Sequence, residues 1–510
     1  MNYSKLFIGL LSLHLVTGCK TEDKRPNIVY ILADDLGYGD LGIYGQTKIE
    51  TPNIDRLAKD GIRFTQHYAG APVCAPSRCV LLTGKHGGHA EIRGNDEWTS
   101  RGDVWSYEAC ERDSTLEGQR PLSDMTTIFP ALLQKAGYRT GMIGKWGLGA
   151  PQTSATPIQK GFDFFYGYNC QRNAHTYYPM HLYDGDHRVY LNNRSVAPHS
   201  KLAKGADPNI SESYADFNLN DYSPDLMFGK MIEFIDDTPR DSPFFMYWAS
   251  PIPHVPLQAP QRWVDYYRKK FGDEKPYLGT SGYFPVQYPK ATYAAMISYL
   301  DERVGQLIDH LKKTGRYENT LIVFASDNGA TFNGGTESKW FDSNGPFKNE
   351  YGWGKCFVHE GGIRVPMIAS WPSKIKTNQI SDHISSFYDV FPTICDITRL
   401  DYDRSELDGI SFYPTLMGDN QNQKEHEYLY WEFPELKGEQ AVRKGNWKAI
   451  RKNIKAGNMK IELYDLSKDI QELHDVADKY PEITKEMAQI MKESHETPVN
   501  KSFVLKALEQ

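Results

Sequence analysis

Two continuous apolar, β-rich runs of this chain end in pairs of short oxygen-bearing side chains. Asn27 to Ala33 (NIVYILA) stops at Asp34-Asp35, and Thr320 to Ala325 (TLIVFA) stops at Ser326-Asp327-Asn328-Gly329. A run without polar alternation needs cover on both faces, as a buried parallel strand has. Pro243 to Ala249 (PFFMYWA) is a third such run, followed by Pro251, Pro253 and His254. Met142-Ile143-Gly144-Lys145 follows a stretch of helical character, Met125 to Ala136, and a Gly137 stop. With helical segments such as Tyr288 to Thr314 between them, these strands predict an α/β fold. Its core is a large mixed, mostly parallel sheet flanked by helices.

Ligands of such sheets gather beyond the carboxyl ends of the strands. A lone Asp there is usually a cap or turn residue. Four strand ends bearing Asp-Asp, Gly-Lys, Pro-x-His and Asp-Asn are harder to dismiss together. Asp34, Asp35, Asp327 and Asn328 form an all-oxygen set that suits Ca2+ or Mg2+, whereas Zn2+ would recruit His or Cys. A divalent cation would also relieve the repulsion among the carboxylates.

After about residue 420, short strand-like pieces follow one another: Tyr428 to Phe433, Gln440 to Arg443, Trp447 to Arg451 and Ile461 to Tyr464. A helical segment, Pro481 to Ser494, comes last. A smaller C-terminal antiparallel sheet plus helix is expected. At the other end, Lys5 and the apolar run Leu6 to Val16 read as a signal peptide, too short to cross a bilayer. Val16-Thr17-Gly18-Cys19 resembles the lipobox of bacterial lipoproteins, which implies export and lipidation of Cys19. Plain signal-peptidase cleavage is the alternative. The organisation expected is residues 1–19 as signal peptide with lipobox, 20–420 as the catalytic domain and 421–510 as a C-terminal α+β subdomain.

Hydrophobic residues make up 40% and charged residues 24% of the 510, so disorder is not expected. A formal net charge of −7 gives no reason to expect nucleic acid or an anionic membrane surface as partner. An anionic substrate would need a local cationic pocket. The seven cysteines (Cys19, Cys74, Cys79, Cys110, Cys170, Cys356 and Cys395) form no CxxC pair, which argues against a zinc knuckle or a dense disulfide framework.

Cys74-Ala75-Pro76-Ser77-Arg78, continued by Cys79-Val80-Leu81-Leu82-Thr83-Gly84-Lys85, resembles the C/S-x-P-x-R signature of the type I formylglycine sulfatases in the alkaline phosphatase superfamily. Pro26 to Gly42, Asn53 to Phe64, Pro243 to Pro256, Ser326 to Gly329, Gly354-Lys355, Glu360 to Pro366, Trp447-Lys448 and Glu462 to Leu466 are similar to the same family in the same order. The resemblance implies that a separate maturation enzyme oxidises Cys74 to formylglycine, whose aldehyde hydrates to a diol. It implies one calcium ion on Asp34, Asp35, Asp327, Asn328 and the modified Cys74. It implies that Arg78 holds the hydrate, Lys145 and Lys355 clamp sulfate, and His254 lies beside the leaving oxygen. A sulfate monoester is anionic, so cations must offset charge as the S–O bond breaks. The second hydroxyl of the diol gives a route to expel sulfate that a thiol lacks.

The chain departs from the family at Gly144-Lys145-Trp146-Gly147-Leu148-Gly149, where GKWHLG is common. Gly147 replaces the histidine associated with sulfate release. His175, within Asn169 to Pro179 (NCQRNAHTYYP), and His359 are candidate substitutes. His175 reads equally well as a pocket-wall histidine. The expected substrates are sulfated carbohydrates, as oligosaccharides of algal polysaccharides (ulvan, carrageenan) or glycosaminoglycans. The segment Phe162 to Tyr190, rich in Tyr, His, Arg and Asn, reads either as sugar-binding surface or as a rigid loop. The competing functions are a phosphonate or phosphodiester hydrolase of the same superfamily and an inactive glycan-binding lipoprotein. Export implies a periplasmic or outer-membrane location, with membrane contact through the lipid anchor alone.

Overall fold

A computed structural model of the protein describes residues 24–509; the signal segment and Cys19 lie outside the described residues. Strands β1 (Asn27–Ala33), β2 (Ile62–Tyr68), β3 (Arg139–Lys145), β4 (Phe164–Tyr168), β5 (His181–Asp184), β6 (His187–Tyr190), β7 (Phe244–Ala249), β8 (Thr320–Ser326), β9 (Arg364–Ser370), β10 (Gln379–Ser381) and β11 (Ser385–Ser386) form one sheet of 11 strands. Its order is β10-β2-β9-β8-β1-β7-β3-β4-β5-β6, with β11 beside β2. The centre, β8-β1-β7-β3-β4, is parallel throughout. Strand β9 runs antiparallel to β2 and β8, and β4-β5-β6 is an antiparallel edge. The expected large mixed sheet is therefore present.

The apolar run of β1 follows from its position at the centre. Ile28, Tyr30 and Leu32 face one core, shared with the Cys74–Thr83 helix. Val29, Ile31 and Ala33 face a second core on the other side, shared with the Pro289–Lys313 helix. With both faces covered, alternation has no polar side to serve. Each large apolar side chain so buried contributes roughly 1.5–3 kcal/mol.

The register of these parallel strands assembles the functional edge. Ala33 pairs with Ser326, and Gly144 with Ala249. The residues at or just past those positions, Asp34, Asp327 and Lys145, therefore emerge together. Asp327 N–H donates to the Ala33 carbonyl, and Asp34 N–H to the Ile252 carbonyl, both at 3.0 Å.

Two sequence expectations need correction. The helix expected from Met125 begins at Phe129 and ends at Lys135. Pro130 stands in its first turn, where its missing N–H costs nothing, and could not have stood further inside. The Phe162–Tyr190 segment is not a plain surface loop. It supplies β4, the 3-10 turn Gln171–His175, β5 and β6 to the sheet edge.

The C-terminal part is a four-stranded antiparallel meander, Leu429–Phe433, Glu439–Lys444, Trp447–Lys452 and Ile461–Asp465. Helix Pro481–Glu493 covers it through Met487, Ile490 and Met491. A buried ion network docks it to the large sheet: Lys448 Nζ lies 2.9 Å from both Glu360 and Glu472. Trp431 Nε1–H also donates to the Ala69 carbonyl (2.9 Å).

Candidate active site

Cys74 opens a helix whose ten residues are all buried. Its Sγ donates to Asp34 Oδ1 (3.2 Å) and lies 3.4 Å from Lys145 Nζ and 3.6 Å from Lys355 Nζ. Arg78, one turn on, shares that face of the helix. Its Nη2 reaches Asp327 Oδ2 (2.8 Å) and Asp34 Oδ2 (3.3 Å), while Nη1 donates to the Lys145 carbonyl (2.8 Å). Ser77 Oγ donates to the Asp327 carbonyl (2.5 Å) and accepts from Gly70 N–H (3.1 Å). The pentapeptide thus tethers the nucleophile position, the guanidinium and the β8 strand end to one another.

The charges at the site balance. Three carboxylates (Asp34, Asp35, Asp327) face three cations (Arg78, Lys145, Lys355), with Lys145 Nζ 2.7 Å from Asp34 and Lys355 Nζ 2.6 Å from Asp35. Burial pushes Asp34 up, but Lys145, His254, Arg78 and Lys355 together outweigh it and hold it below the ordinary range. Burial and the neighbouring Asp34 push Asp327 up to about 7, against Arg78. Burial and Asp34 also push the Cys74 thiol well above its ordinary value, so the residue is a thiol rather than a thiolate. An unmodified Cys74 is a poor nucleophile here.

His254 Nδ1–H faces the Val255 carbonyl (2.5 Å), which leaves the Nε2 lone pair toward Asp35 Oδ2 at 3.7 Å. His175 stacks on His254, and Tyr283 meets both rings edge-on, at 5.3 and 5.9 Å between centroids. Tyr283 has a left-handed backbone (φ 63°). The structure does not bring His359 to this group. It packs on Trp353, and its charged neighbours are Lys448, Lys452, Glu360 and Lys348 rather than the cations around Cys74.

Gly147 has φ +79°, and a Cβ added there would lie 2.5 Å from Gln171 Cγ. Gln171 fills the space of the missing side chain. Its Nε2 donates to Asn95 Oδ1 (3.2 Å), which also accepts Ala75 N–H (3.1 Å), next to the nucleophile position. Asn95, Gln171 and Tyr283 were not singled out from the sequence. Gly147 was the signal for Gln171, since a lost side chain in a packed site leaves room that another residue fills. Tyr283 and Asn95 sit in loops without a motif.

The donor set fits a hard divalent cation. Asn328 Nδ2 donates to Asp35 Oδ1 (2.8 Å), yet Asn328 Oδ1 is buried with no hydrogen-bond partner among the described residues. An unpaired buried carbonyl oxygen is costly unless something electropositive meets it. Ligand atoms of Asp34, Asp35, Cys74 and His254 all lie within 4.8 Å of one another, a group able to hold a metal ion. Oxygen donors dominate once Asp327 and Asn328 are included, as calcium requires.

A family model described as Sulfatase matches residues 26–400, and one described as N-sulphoglucosamine sulphohydrolase, C-terminal, matches residues 349–497. N-acetylgalactosamine-6-sulfatase of Homo sapiens is 32% identical over 411 residues, covering 78% of this chain and 67% of that protein. An uncharacterized sulfatase of Schizosaccharomyces pombe is 28% identical over 544 residues, covering 92% and 93%. Among solved structures, Ps i-CgsB in complex with k-i-k-neocarrahexaose aligns with a TM-score of 0.69 at 27% identity, covering 95% of this chain and 96% of that one.

Proposed function

This chain belongs to the sulfatase family and is a sulfuric ester hydrolase; from that premise we propose that it desulfates oligosaccharides through a formylglycine made from Cys74. The carrying observation is the pair of ammonium groups, Lys145 and Lys355, within 3.6 Å of a buried Sγ that is itself a weak nucleophile. Matured, Cys74 supplies a hydrated aldehyde with one hydroxyl for attack and a second for sulfate release. Asp34, Asp35, Asp327, Asn328 and the matured residue 74 would hold one calcium ion, which supplies positive charge that favours an ionised hydroxyl.

Charge counting supports this reading. With all three carboxylates ionised, as a bound cation would hold them, the side chains cancel, so a doubly positive ion would leave room for one anionic sulfate ester and one ionised hydroxyl. Lys145 and Lys355 then pass from the carboxylates to the sulfate oxygens, and Arg78 keeps Asp327 and the helix N-terminus in place. Lys355 protonates the departing alcohol oxygen, because a neutral His254 whose N–H faces the Val255 carbonyl positions that oxygen without a proton to give. His175 takes the proton whose loss releases sulfate, the step for which position 147 offers no side chain.

Support for a sugar substrate comes from the relatives' names, one acting on N-acetylgalactosamine sulfate and one bound to neocarrahexaose. Fragments of algal polysaccharides or glycosaminoglycans are the proposed class. Export as a periplasmic or outer-membrane lipoprotein anchored at Cys19, and matured by a formylglycine-generating enzyme, completes the proposal. The test is mass spectrometry of the Cys74 peptide together with sulfate release from a panel of sulfated oligosaccharides. An unmodified cysteine in fully active enzyme would overturn the mechanism. Turnover of an aryl phosphodiester without any sulfate release would overturn the substrate class.

A further inference from the structure

Unpaired buried polar atoms concentrate between Asn169 and Arg172. Asn169 Oδ1, Gln171 Oε1, Arg172 Nε and Arg172 Nη1 are all buried with no hydrogen-bond partner among the described residues. Arg172 carries the heaviest penalty, because its guanidinium stays charged at 4% exposure. Nη2 donates to Cys110 Sγ (2.9 Å), a weak acceptor. The nearest carboxylate oxygen, Glu97 Oε2, lies 3.8 Å from Nε, too far for a hydrogen bond. Burial also raises Glu97 to about 7, so it is incompletely ionised near neutrality.

The position of this guanidinium gives the surplus charge a use. Arg172 lies on the Gln171–His175 turn. The first residue of that turn is linked through Asn95 to Ala75, and the last stacks on His254. At roughly 2 Å rise per residue in a 3-10 turn, Arg172 sits about 6 Å along the axis from His175. Two aromatic rings flank it. Tyr107 is 4.9 Å from the guanidinium and fixes the turn by donating to the Arg172 carbonyl (2.5 Å). Trp105 is 5.8 Å away and 63% exposed, an outer cover open to solvent. Rings stack on sugar faces, and a guanidinium pairs in two-point fashion with carboxylate or sulfate. A purely structural Arg172 would be accounted for by its thiol and ring contacts, but none of those uses Nε or Nη1.

We propose that Arg172 binds a second acidic group, a carboxylate or a second sulfate, on the sugar flanking the scissile ester, with Trp105 turning off the guanidinium to stack on that sugar. This rests on the oligosaccharide reading above and narrows it to acidic or multiply sulfated substrates.

The test compares full-length wild type, Arg172→Gln, Arg172→Lys and Trp105→Ala, with thermal melts to show that each folds. The probes are a 6-sulfated N-acetylgalactosamine disaccharide with a free uronate, its uronate methyl ester, and uronate-free galactose disaccharides with one or two sulfates. Arg172→Gln is expected to raise KM for the free uronate, the disulfate, or both, by about ten- to hundredfold. It should leave the methyl ester and the monosulfate within about twofold, with kcat little changed. The probe affected identifies the group bound. Trp105→Ala should weaken the uronate and its methyl ester alike. Equal KM changes for charged and uncharged probes would overturn the proposal. Calorimetry on Cys74→Ala and Cys74→Ala/Arg172→Gln repeats the comparison without turnover. Wild type that binds the probes but releases no sulfate counts against the sulfatase mechanism. An unchanged Kd for the uronate and disulfate probes on losing Arg172 counts against this site, and binding of no probe overturns both.

Discussion

His175 lies flat against His254, with ring centroids 5.1 Å apart and planes 5° from parallel. Two charged imidazoles at that distance would repel, so the pair holds at most one proton comfortably. Burial and the neighbouring His254 hold His175 well below the ordinary imidazole range, and burial with Lys355 and Lys145 does the same to His254. Both rings are neutral at pH 7 and able to accept a proton. His175→Ala is expected to lower kcat by roughly 10²–10⁴-fold, the span of general acid–base contributions, with little change in KM. Because the neutral form is the active one, activity should fall as pH drops through a depressed pKa, so the acid limb lies below pH 6.5. A pH–rate profile of His175→Ala that matches wild type in height and acid limb would remove this histidine from the mechanism.

The contact between Gly147 and Gln171 makes a second prediction, about restoring the family's histidine. Gly147→His must place a side chain where Gln171 Cγ already sits and must hold a non-glycine residue at φ +79°. The backbone part alone costs about 1–2 kcal/mol. The single variant should therefore melt earlier and turn over more slowly than wild type. Gly147→His/Gln171→Gly should recover part of the melting temperature, because it removes the clash and keeps the backbone strain. Equal melting temperatures for the single variant and wild type would show that Gln171 does not occupy that space.

Much of the site was legible in the sequence because its residues stand at strand ends, and strand ends in a parallel sheet converge. Asp34, Lys145, His254 and Asp327 follow or close four apolar runs, and the parallel register brings them to one edge. Cys74 and Arg78 were legible for a different reason: one helical turn separates them, and both belong to one dense motif. What the sequence withheld depends on through-space packing. Gln171 is 24 positions from Gly147, and Asn95 is 20 from Ala75. Neither contact has a periodicity to announce it. The Phe162–Tyr190 segment was ambiguous because β4, β5 and β6 are only four or five residues long and mix aromatic with polar side chains, too short for a period of two to stand out.

The unpaired Asn328 Oδ1 bears on metal dependence. If calcium meets that oxygen, adding Ca2+ to chelator-treated protein should raise the melting temperature whether or not Cys74 has been matured. The gain approaches about 2.7 kcal/mol when calcium reaches a hundred times its Kd. Asn328→Ala removes the oxygen and leaves the carboxylates, so it should weaken calcium binding in a direct titration. A melting temperature indifferent to calcium and chelator would refute an ion at this site.

Glu117 ties the turn that carries Arg172 and His175 to the sheet edge, and its titration predicts how that support fails. The carboxylate is buried and accepts from His181 Nε2 (2.7 Å), from Arg188 Nε (3.1 Å), and from Tyr183 and Asn173, with Arg188 Nη2 paired to it at 2.7 Å. Burial alone would raise its pKa, but His181, Arg188 and the Tyr183 hydroxyl outweigh burial and lower it from 4.5 to about 2. A carboxyl whose folded value is depressed stabilises the fold fully above its unfolded pKa and loses that contribution as pH falls through the folded one. The window here is pH 4.5 down to about 2, and the contribution at neutrality is on the order of 3 kcal/mol. Glu117→Gln should therefore be less stable at pH 7 by about that amount, since it removes the buried carboxylate that His181 and the half-buried Arg188 both face. Its stability should also decline less steeply than wild type's between pH 4.5 and 2. Denaturant unfolding across that range checks both. Parallel pH–stability curves for variant and wild type would mean that the Glu117 cluster does not hold the edge, and that the turn beneath the active site is braced elsewhere.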